Sequence, residues 1–317
     1  MKRIIFILLA VVLALTACTK SGGKKHETAL PQLKDGYLIY EGNRHEELAI
    51  KRAQINVKTL QQGMYDLVFS SGLDVGYEEM IVSLPSKHGG EKVDLTKTDP
   101  LSSSSNKFYS IEFYNRKLAC GDHTNPVLAK EGSYLRVTPG DNESFDTELT
   151  LKNGDGYAAS LKYKGQLIPF FYTSNSSGGE IYLDGSFYTI TGIDYTKSGN
   201  LYTLDLKSGS ALTVTLKVEE YNIGWVLDLS KQDPVVGQSG KTPYQISYKK
   251  GSSSAVTLAW GAASSSGGKY GVSGSSLYNT WIYSDKGGTT TFTGSVSFRN
   301  ASHKLAFDVF DMKCTVK

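Results

Sequence analysis

The sequence has almost no excess charge of either sign. Its 317 residues carry 34 Lys and Arg against 31 Asp and Glu, a formal charge of +3, and without Lys2 and Arg3 the balance is 32 to 31. No basic stripe is left along the body, which excludes a surface that tracks nucleic-acid phosphates. Metal-binding patterns are missing as well. The five histidines (His26, His45, His88, His123 and His303) are scattered, and no His-Glu-x-x-His, Cys-x-x-Cys or EF-hand spacing occurs. Asp141-Asn142-Glu143 with Asp146 gathers oxygen atoms, but its Gly-Asp setting reads as a polar β-turn. No Gly-x-Ser-x-Gly stands on a strand-to-helix turn, so a nucleophile elbow is not expected. The serine-rich stretches 102–105, 252–254 and 264–266 have loop composition, and no carboxylates stand out as an acid–base pair. The expectation is a chain without enzyme activity, cofactor or metal.

Cysteine is scarce, and the first of the three introduces what is present. Met1-Lys2-Arg3 leads into the apolar run Ile4 to Leu15, which is too short to span a bilayer as a helix. It ends in Leu15-Thr16-Ala17-Cys18, the layout of a secretory signal with small residues before the cleavage point. These residues resemble the lipobox of bacterial lipoproteins. The resemblance implies a signal peptide over 1–17, a lipid such as palmitate on Cys18 as the mature N-terminus, and a tether over 18–33. Thr19 stands where an aspartate retains some lipoproteins at the inner membrane, so the outer membrane is expected. The basic run after Cys18 leaves the surface-exposed or periplasmic side open. Cys120 and Cys314 remain, in a compartment that permits disulfides. Two separately buried thiols are expected, because free cysteine packs as a small hydrophobe.

About 300 residues beyond a leader exceed what one core usually organises. Internal similarity points the same way. Val93-Asp94-Leu95-Thr96-Lys97-Thr98-Asp99-Pro100-Leu101 returns as Leu227-Asp228-Leu229-Ser230-Lys231-Gln232-Asp233-Pro234-Val235. Weaker echoes keep the same order: 63–69 with 199–206, 81–84 with 213–216, Tyr109–Phe113 with Tyr244–Tyr248, 118–121 with 258–261, and Phe145–Asn153 with Phe292–Asn300. The expected organisation is a β-domain over 34–172, a Ser/Gly linker over 173–179 and a sister domain over 180–317.

Both copies alternate apolar and polar residues with period two. Tyr109, Ile111 and Phe113 share one strand face, as do Tyr244, Ile246 and Tyr248. Turn chemistry falls between such runs, at Ser71-Gly72, Asp155-Gly156 and Ser208-Gly209. The fold class is therefore all-β, with two tandem antiparallel sandwiches or barrels. Glu46 to Leu60 has helical composition, but Ile55, Val57 and Thr59 alternate, so most of it is expected as strand.

Aromatic residues are the one functional lead. Twenty tyrosines are present, and all three tryptophans fall in the second copy. Trp225 alternates in phase with Leu227 and Leu229, and Trp260 with Val256 and Leu258, so both read as core. Trp281 lies where both strand faces carry aromatics, which makes it the candidate ligand-binding ring, with Tyr283 and Tyr278 as neighbours. The layout is similar to that of the accessory glycan-binding lipoproteins of Gram-negative nutrient-uptake systems. That resemblance implies a membrane-anchored, non-catalytic binding protein with carbohydrate, or a protein partner, as ligand. The alternative is a structural or adhesive envelope protein such as a fimbrillin-like subunit, which assembles by strand donation and needs a removable N-terminal strand or an open groove; Gly36-Tyr37-Leu38-Ile39-Tyr40 would be that removable strand.

Overall fold

A computed structural model describes residues 29–42, 44–73, 78–98, 108–122, 124–173, 176–231, 244–261 and 268–317. The leader, Cys18, His26 and His123, the Asp-Pro ends of both repeat motifs, and the serines at 102–105 and 264–266 lie outside them. Alternating burial marks several of the strands. In β5 (Glu79–Pro85) Met80, Val82 and Leu84 are buried between half-exposed neighbours, the pattern of a strand with one face on a core.

The N-terminal half makes two six-stranded sheets. One runs through β2 (His45–Ala49), β1 (Tyr37–Glu41), β11 (Ala158–Gln166), β10 (Ser144–Lys152), β9 (Tyr134–Pro139) and β6 (Lys92–Asp94). The other runs through β12 (Ile168–Phe170), β3 (Arg52–Asn56), β4 (Met64–Ser70), β5, β7 (Ser110–Phe113) and β8 (Arg116–Cys120). Leu38, Leu135 and Leu149 of the first meet Ile55, Leu67, Val82 and Ile111 of the second in one core, so the half is a β-sandwich. The segment 46–60 divides: β2 and β3 are strands, and the short helix α1 (Val57–Gln61) follows. Asn56 caps α1, its side chain accepting from Lys58 N at 3.0 Å and Thr59 N at 3.4 Å.

The C-terminal half follows the same strand order. Its strands are β13 (Gly178–Leu183), β14 (Ser186–Thr189), β15 (Gly192–Ser198), β16 (Leu201–Ser208), β17 (Leu212–Glu219), β18 (Leu227–Asp228), β19 (Tyr244–Lys250), β20 (Val256–Trp260), β21 (Ser276–Ser284), β22 (Thr290–Arg299) and β23 (Lys304–Val316). The path β6-β9-β10-β11-β1-β2 has its counterpart in β18-β21-β22-β23-β13-β14, and β3-β4-β5-β7-β8 in β15-β16-β17-β19-β20. One difference joins the layers. In the first half the chain breaks at Leu167, and β12 then pairs parallel to β3. In the second, β23 runs through: it pairs with β13 over Leu305–Phe310 and then lies parallel to β15 from Cys314. Asp311, at φ 46°, marks the bend.

The repeated motif makes the same turn twice. Asp94 accepts from Thr96 N (3.0 Å) and Oγ1 (2.7 Å) and pairs with Lys97 (3.1 Å). Asp228 accepts from Ser230 N (2.9 Å) and Oγ (2.5 Å) and pairs with Lys231 (3.0 Å). The next apolar residues, Leu95 and Leu229, are fully buried. Tyr109 and Tyr244 close the loops, each donating its hydroxyl to the carbonyl of the turn lysine at 3.1 Å.

The halves are packed together. Gly178 and Gly179, expected in a linker, begin β13 instead. Val57 and Phe171 of one half bury against Tyr182 and Ala306 of the other. Arg299 of β22 is almost fully buried and donates to the Leu167 carbonyl at 3.0 Å, to Glu143 at 3.2 Å and to the Asn142 carbonyl. Lys304 reaches the other Glu143 oxygen at 2.5 Å, and Lys58 pairs with Glu180 across the same seam. Gly274 also touches the first half: at φ 90°, a Cβ there would lie 3.1 Å from the Lys51 carbonyl.

Candidate functional site

Where β21 to β23 meet the end of β12, the surface sinks into an open groove of about 600 Å³. Its apolar rim comes from Tyr172, Trp281 and Phe310, with buried Val309 beneath, and its polar lining from Thr173, Asn279, Thr293, Ser295 and Asp308. Trp281 is 59% exposed, Tyr172 54% and Phe310 46%, so three rings stand out of the sheet around a polar base. Tyr283, on the same strand, is exposed as well.

A bulge in β21 aims these side chains. The register with β22 shifts between Tyr278 and Trp281, and Asn279 takes φ 54°. Tyr278 faces Ser295 before the bulge, and Trp281 faces Thr293 after it. The extra residue tilts the strand and turns Asn279 outward beside Trp281. Asp308 sits opposite Ser295 on β23. One of its oxygens accepts from the Ser295 hydroxyl, the other from Thr173 N (2.7 Å) and Oγ1 (2.8 Å). Those donors orient the carboxylate and leave one lone pair, on the oxygen that Ser295 contacts, for a ligand hydroxyl.

Of the three expected rings, Trp281 and Tyr283 lie at the surface and Tyr278 does not. Only 3% of Tyr278 is exposed. Its hydroxyl lies 3.4 Å from Ser297 Oγ, and burial pushes its pKa well above the ordinary tyrosine value, with the charges of Tyr172, Arg52 and Asp308 within reach. Tyr278 pairs with Ser295 before the bulge and is buried, whereas Trp281 and Tyr283, beyond the bulge, are exposed. Trp225 corrects the expectation in the other direction. It lies outside β18, after a 3₁₀ turn, and at 71% is strongly exposed. Trp260, on β20 at a sheet edge, is half-buried. The groove residues Asp308, Asn279 and Phe310 carried no signal in the sequence, because two separate strands, β21 and β23, bring them together.

Elsewhere the candidate chemistry is spent on structure. The Asp141–Glu143 turn gives its Glu143 carboxylate to Arg299 and Lys304. Among the described residues no group of three or more His, Cys, Asp or Glu side chains could hold a metal ion, and no helix is long and apolar enough to cross a membrane. Cys120 is buried and Cys314 half-buried, both as free thiols, and burial pushes Cys314 up to about 11. No protein-family model matches this chain, and neither does any curated protein or solved structure.

Proposed function

We propose that this protein is a lipid-anchored, non-catalytic envelope protein that binds carbohydrate in the Trp281 groove. One observation carries the reading: exposed rings surround a base of hydroxyl, amide and carboxylate groups. Sugar rings present apolar C–H faces that stack on such rings and hydroxyls that need oriented acceptors and donors. A volume of about 600 Å³ lies within the usual range for small-molecule sites, about 300–1,000 Å³. The lipobox-like Leu15-Thr16-Ala17-Cys18 supports anchorage at the outer membrane, and multiple acyl chains would make that anchorage stable where one is marginal.

The test is a calorimetric titration against a broad panel of soluble glycans. Saturable binding that weakens roughly tenfold or more in Trp281→Ala is expected, as for an exposed aromatic anchor. A panel without any binder would remove the reading. Anchorage is checked separately, by labelled palmitate entering the wild type and not Cys18→Ser. The adhesive alternative needs a removable strand or an open groove, and in the structure β1 is an interior strand. It is hydrogen-bonded on both sides, to β2 and β11, and Leu38 is in the core.

A further inference from the structure

A second groove lies close to the first. It has a volume of about 430 Å³, and its lining includes Lys51 and Leu73 from the first half and Val226, Asp228 and Lys231 from the second. Three consecutive residues connect the two grooves. Gly224 N donates to the Thr280 carbonyl at 2.8 Å, which fixes this segment against β21. The ring of Trp281 rests on Gly224, its edge 3.2 Å from where a Cβ would stand. Gly224, at φ 83°, then turns the chain so that Trp225 projects into solvent. Val226, the next residue, already lines the second groove. Two Cα steps span at most about 7.6 Å, no longer than a pair of linked sugar rings.

The strand pairing places the grooves near each other as well: β21 carries Asn279 and Trp281 of the first groove, and its start pairs with β18, whose Asp228 lines the second. Along this path the side chains alternate between ring and polar group: Phe310 and Asp308, Trp281 and Asn279, then Trp225, then Lys231 and Lys51. A single sugar in the first groove would leave Trp225 and the second groove unused.

Resting on the carbohydrate reading, we infer that the ligand is a linear oligosaccharide rather than a free sugar. It crosses the seam between the halves, with Trp281 as the main platform, Trp225 as the bridging one, and the second groove as the end subsite. Linking the subsites through one chain makes each later contact intramolecular, so affinity grows with length until the second groove is reached.

The experiment uses length-graded linear fragments, from single sugars to octasaccharides, of each glycan on the panel, titrated into the wild type, Trp225→Ala and Trp281→Ala. Trp225 is mostly in solvent, and an unchanged melting temperature will show that its variant folds. The expected result is wild-type affinity that rises roughly tenfold or more with length and then levels off. Trp225→Ala should lose that gain and keep the affinity for short fragments, while Trp281→Ala loses both. Equal affinity for short and long fragments, or a Trp225→Ala variant that keeps the gain, would overturn the chain-length inference and leave the carbohydrate reading standing. No binding at any length would end that reading, and the inference with it.

Discussion

Gly224 shows how a single residue sets the groove without touching a ligand. Gly224 occupies the left-handed region and supports the ring of Trp281, so Gly224→Ala meets both a backbone and a steric obstacle. It should lose about 1–2 kcal/mol in denaturant unfolding, and the Trp281 emission should shift as the ring is displaced; an unchanged spectrum would show that the ring does not depend on Gly224. Tyr278 offers the opposite contrast. Removing its buried hydroxyl in Tyr278→Phe should cost about 1 kcal/mol and leave glycan affinity as it was. A loss of affinity on the scale of Trp281→Ala would return Tyr278 to the site. The thiols are a further residue-scale check. With Cys120 buried and Cys314 pushed up to about 11, too little thiolate is exposed for reaction. Labelling by a thiol reagent at pH 8 should therefore keep pace with unfolding, and rapid labelling in the native state would contradict this.

At the scale of elements, the paired Asp turns carry a pH dependence whose sign can be worked out. The Thr96 hydroxyl and N–H, with Lys97, hold Asp94 down to about 2. At Asp228 burial alone would raise the pKa, but the Ser230 hydroxyl and N–H and the Lys231 ammonium outweigh it and the net direction is down. A carboxylate with a depressed folded pKa stabilises the fold above its unfolded value, near 3.9, and loses that contribution as pH falls toward the folded one. Thermal melts should therefore show a smaller drop between pH 4 and pH 2 in the Asp94→Asn/Asp228→Asn double variant than in the wild type. Equal drops would assign the acid sensitivity to other carboxylates. The recurrence of the nine-residue motif was legible in the sequence, but not the Asp94 and Asp228 turns themselves, whose Asx hydrogen bonds only the folded loop reveals. The strands were legible too: the period of Tyr109, Ile111 and Phe113 is local, and burial follows it. Trp225 was misread because its apparent phase with Leu227 and Leu229 crosses the start of β18, and phase has no meaning outside a strand.

For the whole molecule, the seam decides whether the two halves behave as one. Arg299 is buried, and its three acceptors, Asn142, Glu143 and Leu167, all lie in the other half. Arg299→Ala should cost on the order of 3 kcal/mol, because deleting one partner leaves buried polar groups unsatisfied. Calorimetry should then resolve two unfolding transitions where the wild type shows one. A single transition at nearly the wild-type temperature would mean that the apolar contacts of Phe171 and Tyr182 hold the halves together unaided. None of this seam was legible in the sequence, because Arg299 and its acceptors are more than a hundred residues apart and follow no motif. The interior position of β1 also has a mechanical consequence. Tension drawn along the residues before Tyr37 would load β1 lengthwise against β2 and β11 together. Its ladders would have to shear as a set instead of unzipping rung by rung. A body pulled from that end would yield last at its first strand.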